Sequence, residues 1–420
     1  MSKSAPSPST VLAEDIAESK ILLLEGISPR AVDHFKALGF RNIDLRKGAL
    51  AGDDLAEALA DNVRILGIRS RSQVTDEVLE QADKLRVVGC FSVGTNQIDL
   101  DAAQRRGIPV FNAPFSNTRS VAELTIAEAV MLLRRTFPRS TAAHAGDWDK
   151  SASGSRELRG KTLGIIGYGN IGTQLAILAE AMGMRVVYYD HTDKLRHGNV
   201  EPMTTMDDLL AEADIVTLHV PETPQTKDMI GAAELARMKP GSYLINNARG
   251  TVVDLDALAD ALKSGHLAGA AVDVFPVEPR SNDDRFKSPL QGLDNVILTP
   301  HVGGSTEEAQ ERIGEEVARK LSEYANGGST VGAVNFPQVQ LPPRMDVTRF
   351  IQVQKNIPGE LRRLNDVFAN REVNIEAQHY QTAGEIGYVV LDAKGFVENA
   401  WDIVAEIRGL PGTLRARVLR

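Results

Sequence analysis

The chain has 420 residues, 43% of them apolar, more than one ordinary core accommodates, so two or three packed domains are expected. A net charge of −9 within a 25% charged composition describes a well-solvated acidic surface, which argues against nucleic acid or an anionic membrane face as partner. Cys90 is the only cysteine, so no internal disulfide can form, in keeping with a reducing compartment.

Residues 1–10 are rich in Ser and Pro and lead into Ala13, Glu14 and Asp15, so residues 1–19 read as a disordered tail and not as an apolar secretory core. No stretch approaches the roughly 20 apolar residues needed to span a bilayer; the run around Ala127 to Leu133 is closed by Arg134 and Arg135. A cytoplasmic protein without a membrane partner is the expectation.

From Lys20 onward, short β-branched runs at residues 21–24, 63–68, 85–88 and 108–111 alternate with segments of helical period, the βαβα pattern of a parallel sheet. Residues 120–135 place apolar side chains at helical spacing, giving a connecting helix that could pack within one chain or across a dimer. A second series supplies strands at residues 163–166, 185–189, 215–218, 243–246, 270–274 and 296–298, enough for a complete nucleotide-binding sheet. The helix of residues 307–325 has little to pack on locally and is expected to return to the first domain.

The chain therefore divides into a discontinuous first domain (20–116 and 305–330) and a nucleotide-binding domain (117–304). Residues 331–347, with Pro337, Pro342 and Pro343, read as a linker. Residues 348–420 then run strand, helix, strand, strand, helix, strand, the ferredoxin-like split βαβ order. The fold class is α/β: two doubly wound parallel-sheet domains and a small C-terminal module.

Gly167-Tyr-Gly-Asn-Ile-Gly172 follows the first strand of the second series and opens a helix. Gly167 suits the tight turn, Gly169 the approach of a pyrophosphate and Gly172 close helix–sheet packing. Asp190 ends the next strand, where a carboxylate accepts hydrogen bonds from ribose hydroxyls and repels a 2′-phosphate. The cofactor is expected to be NAD, not NADP, although His191, Lys194 and Arg196 follow the acid.

Hydride transfer from a 2-hydroxy acid needs a cation for the carboxylate, a group to exchange the hydroxyl proton and a partner for that group. Arg249 in Asn246-Asn-Ala-Arg-Gly250, His301 in Thr299-Pro-His-Val-Gly-Gly-Ser-Thr306 and Glu278 in Asp273-Val-Phe-Pro-Val-Glu-Pro279 meet those needs. All three follow strand ends, where doubly wound sheets bind ligands. No metal site is expected.

These segments, with Gly67-Ile-Arg-Ser-Arg-Ser72 and Asn112-Ala-Pro-Phe-Ser-Asn-Thr-Arg-Ser-Val-Ala-Glu123, resemble the D-isomer-specific 2-hydroxyacid dehydrogenases. Within that family the resemblance is to bacterial members that act on 3-phosphoglycerate and carry a C-terminal ACT domain, and it runs from about Lys20 to Arg420. It implies that Arg249 binds the substrate carboxylate, that His301 takes the hydroxyl proton and that Glu278 orients His301. It also implies that Asn170, Ile171, Asn247, Ala248, Asp273, Val302, Gly303 and Gly304 line the NAD pocket, Asp273 near the nicotinamide. Arg69 and Ser70, with Asn117 and Lys150, correspond to substrate-side positions, and a phosphorylated substrate suits the extra cations.

The implied reaction is oxidation of 3-phosphoglycerate to 3-phosphohydroxypyruvate, the entry to serine synthesis, with 2-oxoglutarate reduction as a side activity. In such members serine binds between paired ACT domains, and Asn356 and Asn374 match effector positions. Gln354 stands where a histidine is common, and residues 338–348 lack glycine. A homotetramer or homodimer assembled through residues 120–135 and the ACT domain is expected. Other D-2-hydroxyacid reductases, a non-catalytic NAD sensor and an ACT-built scaffold are the rival readings; an intact Arg249, Glu278 and His301 set argues against the sensor, and the scaffold predicts no turnover.

Overall fold

The computed structural model describes residues 17–279, 284–342 and 346–419. The first series of elements is β1 (Lys20–Leu23), α1 (Pro29–Ala37), β2 (Ile43–Leu45), α2 (Gly52–Ala60), β3 (Val63–Ile68), α3 (Asp76–Glu80), β4 (Val87–Cys90), α4 (Leu100–Arg105) and β5 (Val110–Phe111). Then come α5 (Thr118–Arg134), α6 (Thr136–His144), β6 (Thr162–Ile166), α7 (Asn170–Ala181), β7 (Arg185–Tyr189), β8 (Glu201–Pro202), α8 (Met206–Glu212), β9 (Ile215–Leu218), α9 (Ala232–Arg237) and β10 (Tyr243–Asn246). The chain continues through α10 (Leu255–Lys263), β11 (Gly269–Val272), β12 (Val296–Leu298) and α11 (Glu307–Gly327). It ends with β13 (Val347–Lys355), α12 (Glu360–Asn370), β14 (Ile375–Ala383), β15 (Ile386–Lys394), α13 (Ala400–Gly409) and β16 (Thr413–Leu419). The described residues fall into two compact units, the first up to residue 116 together with those from 310 onward, the second within 117–309.

In the first unit, a parallel sheet of order β2-β1-β3-β4-β5 is buried on both faces, with Ile21, Leu22 and Leu23 fully inaccessible, the continuous apolar strand that helix-covered parallel sheets require. The C-terminal sheet, order β14-β15-β13-β16, is antiparallel. Ile351, Val353, Tyr388 and Val390 of this sheet share one apolar cluster with Val317, Leu321 and Tyr324 of α11 and with Phe111. A buried ion pair fixes the junction: Arg349 meets both Asp392 oxygens at 2.7 Å and donates to the Gly327 carbonyl at 2.8 Å.

The stretch read as a linker is instead a packed strap. Phe336 and Val339 are each 5% exposed, and Asn335 accepts from the Val110 N–H at 2.8 Å while donating to the Ile108 carbonyl at 3.0 Å. Proline-rich composition signals only the absence of helix; these side chains gain a core by lying along β5. Pro343 and residues 1–16 of the expected tail lie outside the described residues, while Ala17 at its end is buried.

In the second unit, the parallel sheet has the order β12-β11-β10-β9-β6-β7-β8. The chain runs outward from β6 to β8 and crosses back to β9, so the strand order reverses beside β6 and the carboxyl ends of β6 and β9 flank the crevice where such sheets bind ligands. Glu201–Pro202, two residues too short for a periodic signal, add an edge strand that the sequence reading lacked. Helix α5 buries Ala122, Ala129, Leu132 and Leu133 in one cluster with Ile165 and Leu175, so most of its apolar face is spent within the unit. Arg135 takes a left-handed conformation (φ 53°) and divides α5 from α6.

Candidate active site

The glycines after β6 serve three different ends. Gly167 has φ +94°, and a Cβ there would lie 2.4 Å from the His219 carbonyl oxygen beyond β9. A Cβ at Gly172 would lie 2.4 Å from the Gly167 oxygen, so this glycine lets α7 pack against the loop. At Gly169 a Cβ would meet nothing within 4 Å, and α7 begins there without a side-chain cap. Neither packing nor capping accounts for this last glycine, whereas an anion seated on the first-turn N–H groups of Asn170 and Ile171 does.

Asp190, at the end of β7, accepts from the Tyr168 N–H at 2.9 Å and from the N–H and hydroxyl of Thr192 at 3.0 Å. Burial opposes its charge, but these donors and Lys194 outweigh it and hold the carboxyl below the usual aspartate range. An ionised acid with lone pairs to spare suits ribose hydroxyls and repels a phosphate. The residues present thus fit NAD.

Arg249, Glu278 and His301 stand on three loops of the same unit, beyond β10, β11 and β12. Nδ1 of His301 lies 3.0 and 2.9 Å from the two oxygens of Glu278, which also accepts from the Phe275 N–H at 3.1 Å. The hydrogen bond to Glu278 raises the His301 pKa against the opposing effect of burial. The same pairing, with Arg249 adding its charge, lowers the Glu278 carboxyl despite its burial. With Nδ1–H committed to Glu278, Nε2 is the nitrogen left for proton exchange.

His301 sits at φ 54°, a conformation uncommon outside glycine, and Asp273 holds it there. The Asp273 carbonyl accepts from the His301 N–H at 2.7 Å. Its carboxylate accepts from the Thr299 hydroxyl at 2.6 Å and from the N–H groups of Val302 and Gly303 at 2.8 Å. Asp273 is 1% exposed, so the acid implied to neighbour the nicotinamide is spent on the histidine loop.

Asn117 stands just before α5 without a side-chain capping bond and packs on Gly304, where a Cβ would lie 2.3 Å from its Nδ2. Ala248 donates its N–H to the Asn246 side chain at 3.1 Å, and the Asn246 amide donates to the Arg249 carbonyl at 3.1 Å, which shapes the turn carrying Arg249. Lys150 lies exposed in the loop after α6 and shares no hydrogen bond with Arg249, Glu278 or His301 among those of the described residues. Arg69 and Ser70 belong to the other unit, in the loop after β3.

That loop is held by a residue the sequence reading missed. Glu25, 5% exposed and at φ 62°, accepts from four consecutive backbone N–H groups: Arg69 (3.1 Å) and Ser72 (2.9 Å) on one oxygen, Ser70 (3.1 Å) and Arg71 (2.9 Å) on the other. Burial opposes its charge, but the donors lower its pKa overall. Nothing local marks an acid two residues past β1 as the partner of a loop 44 positions on. Glu128 was missed likewise. It is fully buried on α5, accepts from the Asn247 amide at 2.7 Å, and burial pushes its carboxyl up to about 7.

Of the effector candidates, Gln354 is 1% exposed, with its carbonyl oxygen buried and without a hydrogen-bond partner. It faces the interior of its own module, because its place on the central strand β13 turns it inward, so it does not stand open to a ligand as a surface position would. Asn356 is exposed and donates to the Gly384 carbonyl at 3.1 Å, and Asn374 is exposed just before β14. Among the described residues no group of acids, histidines or cysteine suits a metal, and no helix is long and apolar enough to cross a membrane.

Residues 126–303 match the family described as D-isomer specific 2-hydroxyacid dehydrogenase, NAD binding domain, and residues 351–415 match an AHAS small subunit-like ACT domain. D-3-phosphoglycerate dehydrogenase of Escherichia coli (strain K12) is 54% identical over 400 residues, 95% of this chain and 97% of that protein. The Dictyostelium discoideum enzyme of that name is 46% identical over 412 residues, covering 98% and 99%. Among solved structures, D-lactate dehydrogenase from Aquifex aeolicus, complexed with NAD and lactic acid, superposes with a TM-score of 0.66 at 29% identity, over 76% of this chain and all of that one.

Proposed function

The chain belongs to the D-isomer-specific 2-hydroxyacid dehydrogenases, and we infer that it oxidises 3-phosphoglycerate to 3-phosphohydroxypyruvate with NAD, the first step of serine biosynthesis. The observation that carries this reading is the His301–Glu278 pair, a proton acceptor and its orienting acid on adjacent strand-end loops. NAD, when bound, supplies the acceptor for the hydride that leaves C2. Nε2 of His301 takes the hydroxyl proton, and Glu278 stabilises the imidazolium that results. Arg249 pairs with the substrate carboxylate, for which its planar fork is suited.

The loop of Arg69 and Ser70, with Asn117 and Lys150, is assigned to the rest of the substrate on chemistry: a phosphate calls for cations and hydroxyl or amide donors. The cofactor assignments of Gly167, Gly169, Asn170, Ile171, Gly172, Asp190, Asn247, Ala248, Val302, Gly303 and Gly304 belong to the same reading. 2-Oxoglutarate, another dianion, is a second keto acid for this site. The ACT module suits L-serine as effector at Asn356 and Asn374, and a homotetramer or homodimer in the cytoplasm.

The test is NADH formation by the purified protein from NAD and 3-phosphoglycerate, drawn forward by a trap for the keto product, with and without L-serine. Turnover suppressed by serine is expected. Absence of turnover, with 2-oxoglutarate reduced by NADH, would overturn the choice of substrate and leave the hydride chemistry standing.

A further inference from the structure

The first unit holds a second concentration of charge at the edge of its sheet opposite the Arg69–Ser70 loop. A groove of about 680 Å³ runs between the amino-terminal edge of its parallel sheet and the C-terminal module. Arg64, Lys84, Arg86 and Arg106 line it from the sheet side, and Arg408, Arg415 and Arg417 from α13 and β16. Glu80 and Asp83 are the acids in its wall.

For Arg408, Arg415 and Arg417, main-chain carbonyls satisfy donors without cancelling charge. Arg415 donates to the main-chain carbonyls of Arg106 and Leu85, Arg417 to those of Tyr324 and Ala325, and Arg408 to that of Ala416. Arg106 also pairs with Asp76. Carbonyl oxygens are dipoles, so the guanidinium charges remain, close together and partly withdrawn from water. Burial lowers the Arg415 pKa, with Tyr324 and Asp83 opposing the fall and Arg106 adding to it. The Nε of Arg417 is buried with no acceptor at all, an unusual state for a charged donor.

Clustered like charges carry a cost that a bound anion would relieve, and guanidinium forks match phosphate and carboxylate oxygens in geometry. The volume falls within the roughly 300–1,000 Å³ typical of small-molecule sites. Arg64 lies near the start of β3, whereas Arg69 follows its end, so the groove and the Arg69–Ser70 loop occupy opposite edges of one sheet. Its concavity and the overall charge of −9 favour a compact ligand over an extended polyanion.

We propose that this groove is a second ligand site that binds a small multivalent oxyanion, bridging the sheet edge to β16 of the C-terminal module. Inorganic pyrophosphate is the probe. It is titrated calorimetrically into the full-length enzyme saturated with NADH, in the wild type, in a Lys84→Glu/Arg408→Glu double variant and in Arg249→Ala. Lys84 and Arg408 are exposed, so their reversal spares the core.

Binding in the wild type that weakens with added salt, falls about tenfold or more in the double variant and survives in Arg249→Ala is the expected result. The double variant should keep its turnover of 3-phosphoglycerate. The milder Lys84→Ala, expected to weaken binding a few-fold, covers the case in which the double variant does not fold. Three outcomes overturn the proposal: no binding to the wild type, binding unchanged when the groove charges are removed, and binding lost with Arg249.

Discussion

Glu278 faces Nδ1 of His301 with both carboxylate oxygens, at 3.0 and 2.9 Å, and so fixes which ring nitrogen is free to exchange a proton. Replacing His301 by Ala removes that nitrogen and leaves the glycine loop and Asp190 untouched. Turnover should fall by about 10²–10⁴-fold, the usual contribution of a positioned acid–base group. NADH affinity, followed by fluorescence titration, should stay within a few-fold of wild type; near-normal turnover would remove His301 from the role.

The pH profile tests the pair more sharply. Glu278 raises the His301 pKa, and hydroxy-acid oxidation needs His301 neutral, so the activity should climb with pH through that raised value. In Glu278→Gln the principal cause of the shift is gone and the climb should move to lower pH, with kcat reduced because the ring is no longer held. A profile unmoved along the pH axis would show that another group controls it.

Glu25 and the loop of residues 69–72 make a further prediction. Glu25→Gln exchanges one charged acceptor for a donor and leaves backbone N–H groups facing it, which should cost about 2–3 kcal/mol, read from denaturant unfolding. The folded-state pKa of Glu25 is lowered, so its stabilisation is present above the ordinary carboxylate range and is lost as pH falls through the folded value. The wild-type advantage over the variant should therefore shrink in acid. If the loop holds substrate, KM for 3-phosphoglycerate should rise more than kcat falls.

Glu128 has the opposite sign. Its carboxyl is raised from 4.5 to about 7, so the folded state binds a proton more tightly than the unfolded chain, and stability declines as pH rises from about 4.5 to about 7 before levelling. The decline is on the order of 3 kcal/mol. Glu128→Gln, neutral throughout, should lack it. Thermal unfolding of both proteins across this range decides the matter, and parallel curves would mean that Glu128 stays ionised beside Asn247.

The Arg349–Asp392 pair is 1% and 8% exposed. Asp392→Asn strands a buried guanidinium and should cost about 3–5 kcal/mol, seen as a lower midpoint in denaturant. Loss of less than about 1 kcal/mol would mean that the Gly327 and Pro342 carbonyls suffice for Arg349.

The sequence alone carried the alternation of strand and helix, the glycine turn before α7, the acid closing β7 and the three strand-end segments of Arg249, Glu278 and His301. Each is written in a short window: period, turn chemistry and the residue following a strand are local properties. Only the tertiary structure decided that Glu25 reaches a loop 44–47 positions away, that Asp273 holds the His301 backbone, that Gln354 points inward and that the proline-rich strap docks on β5. Those pairings arise when chain segments distant in sequence are packed together. An isolated acid, amide or proline has the same local signature whether it ends exposed to water or buried against a partner, so burial and partner choice are settled by packing.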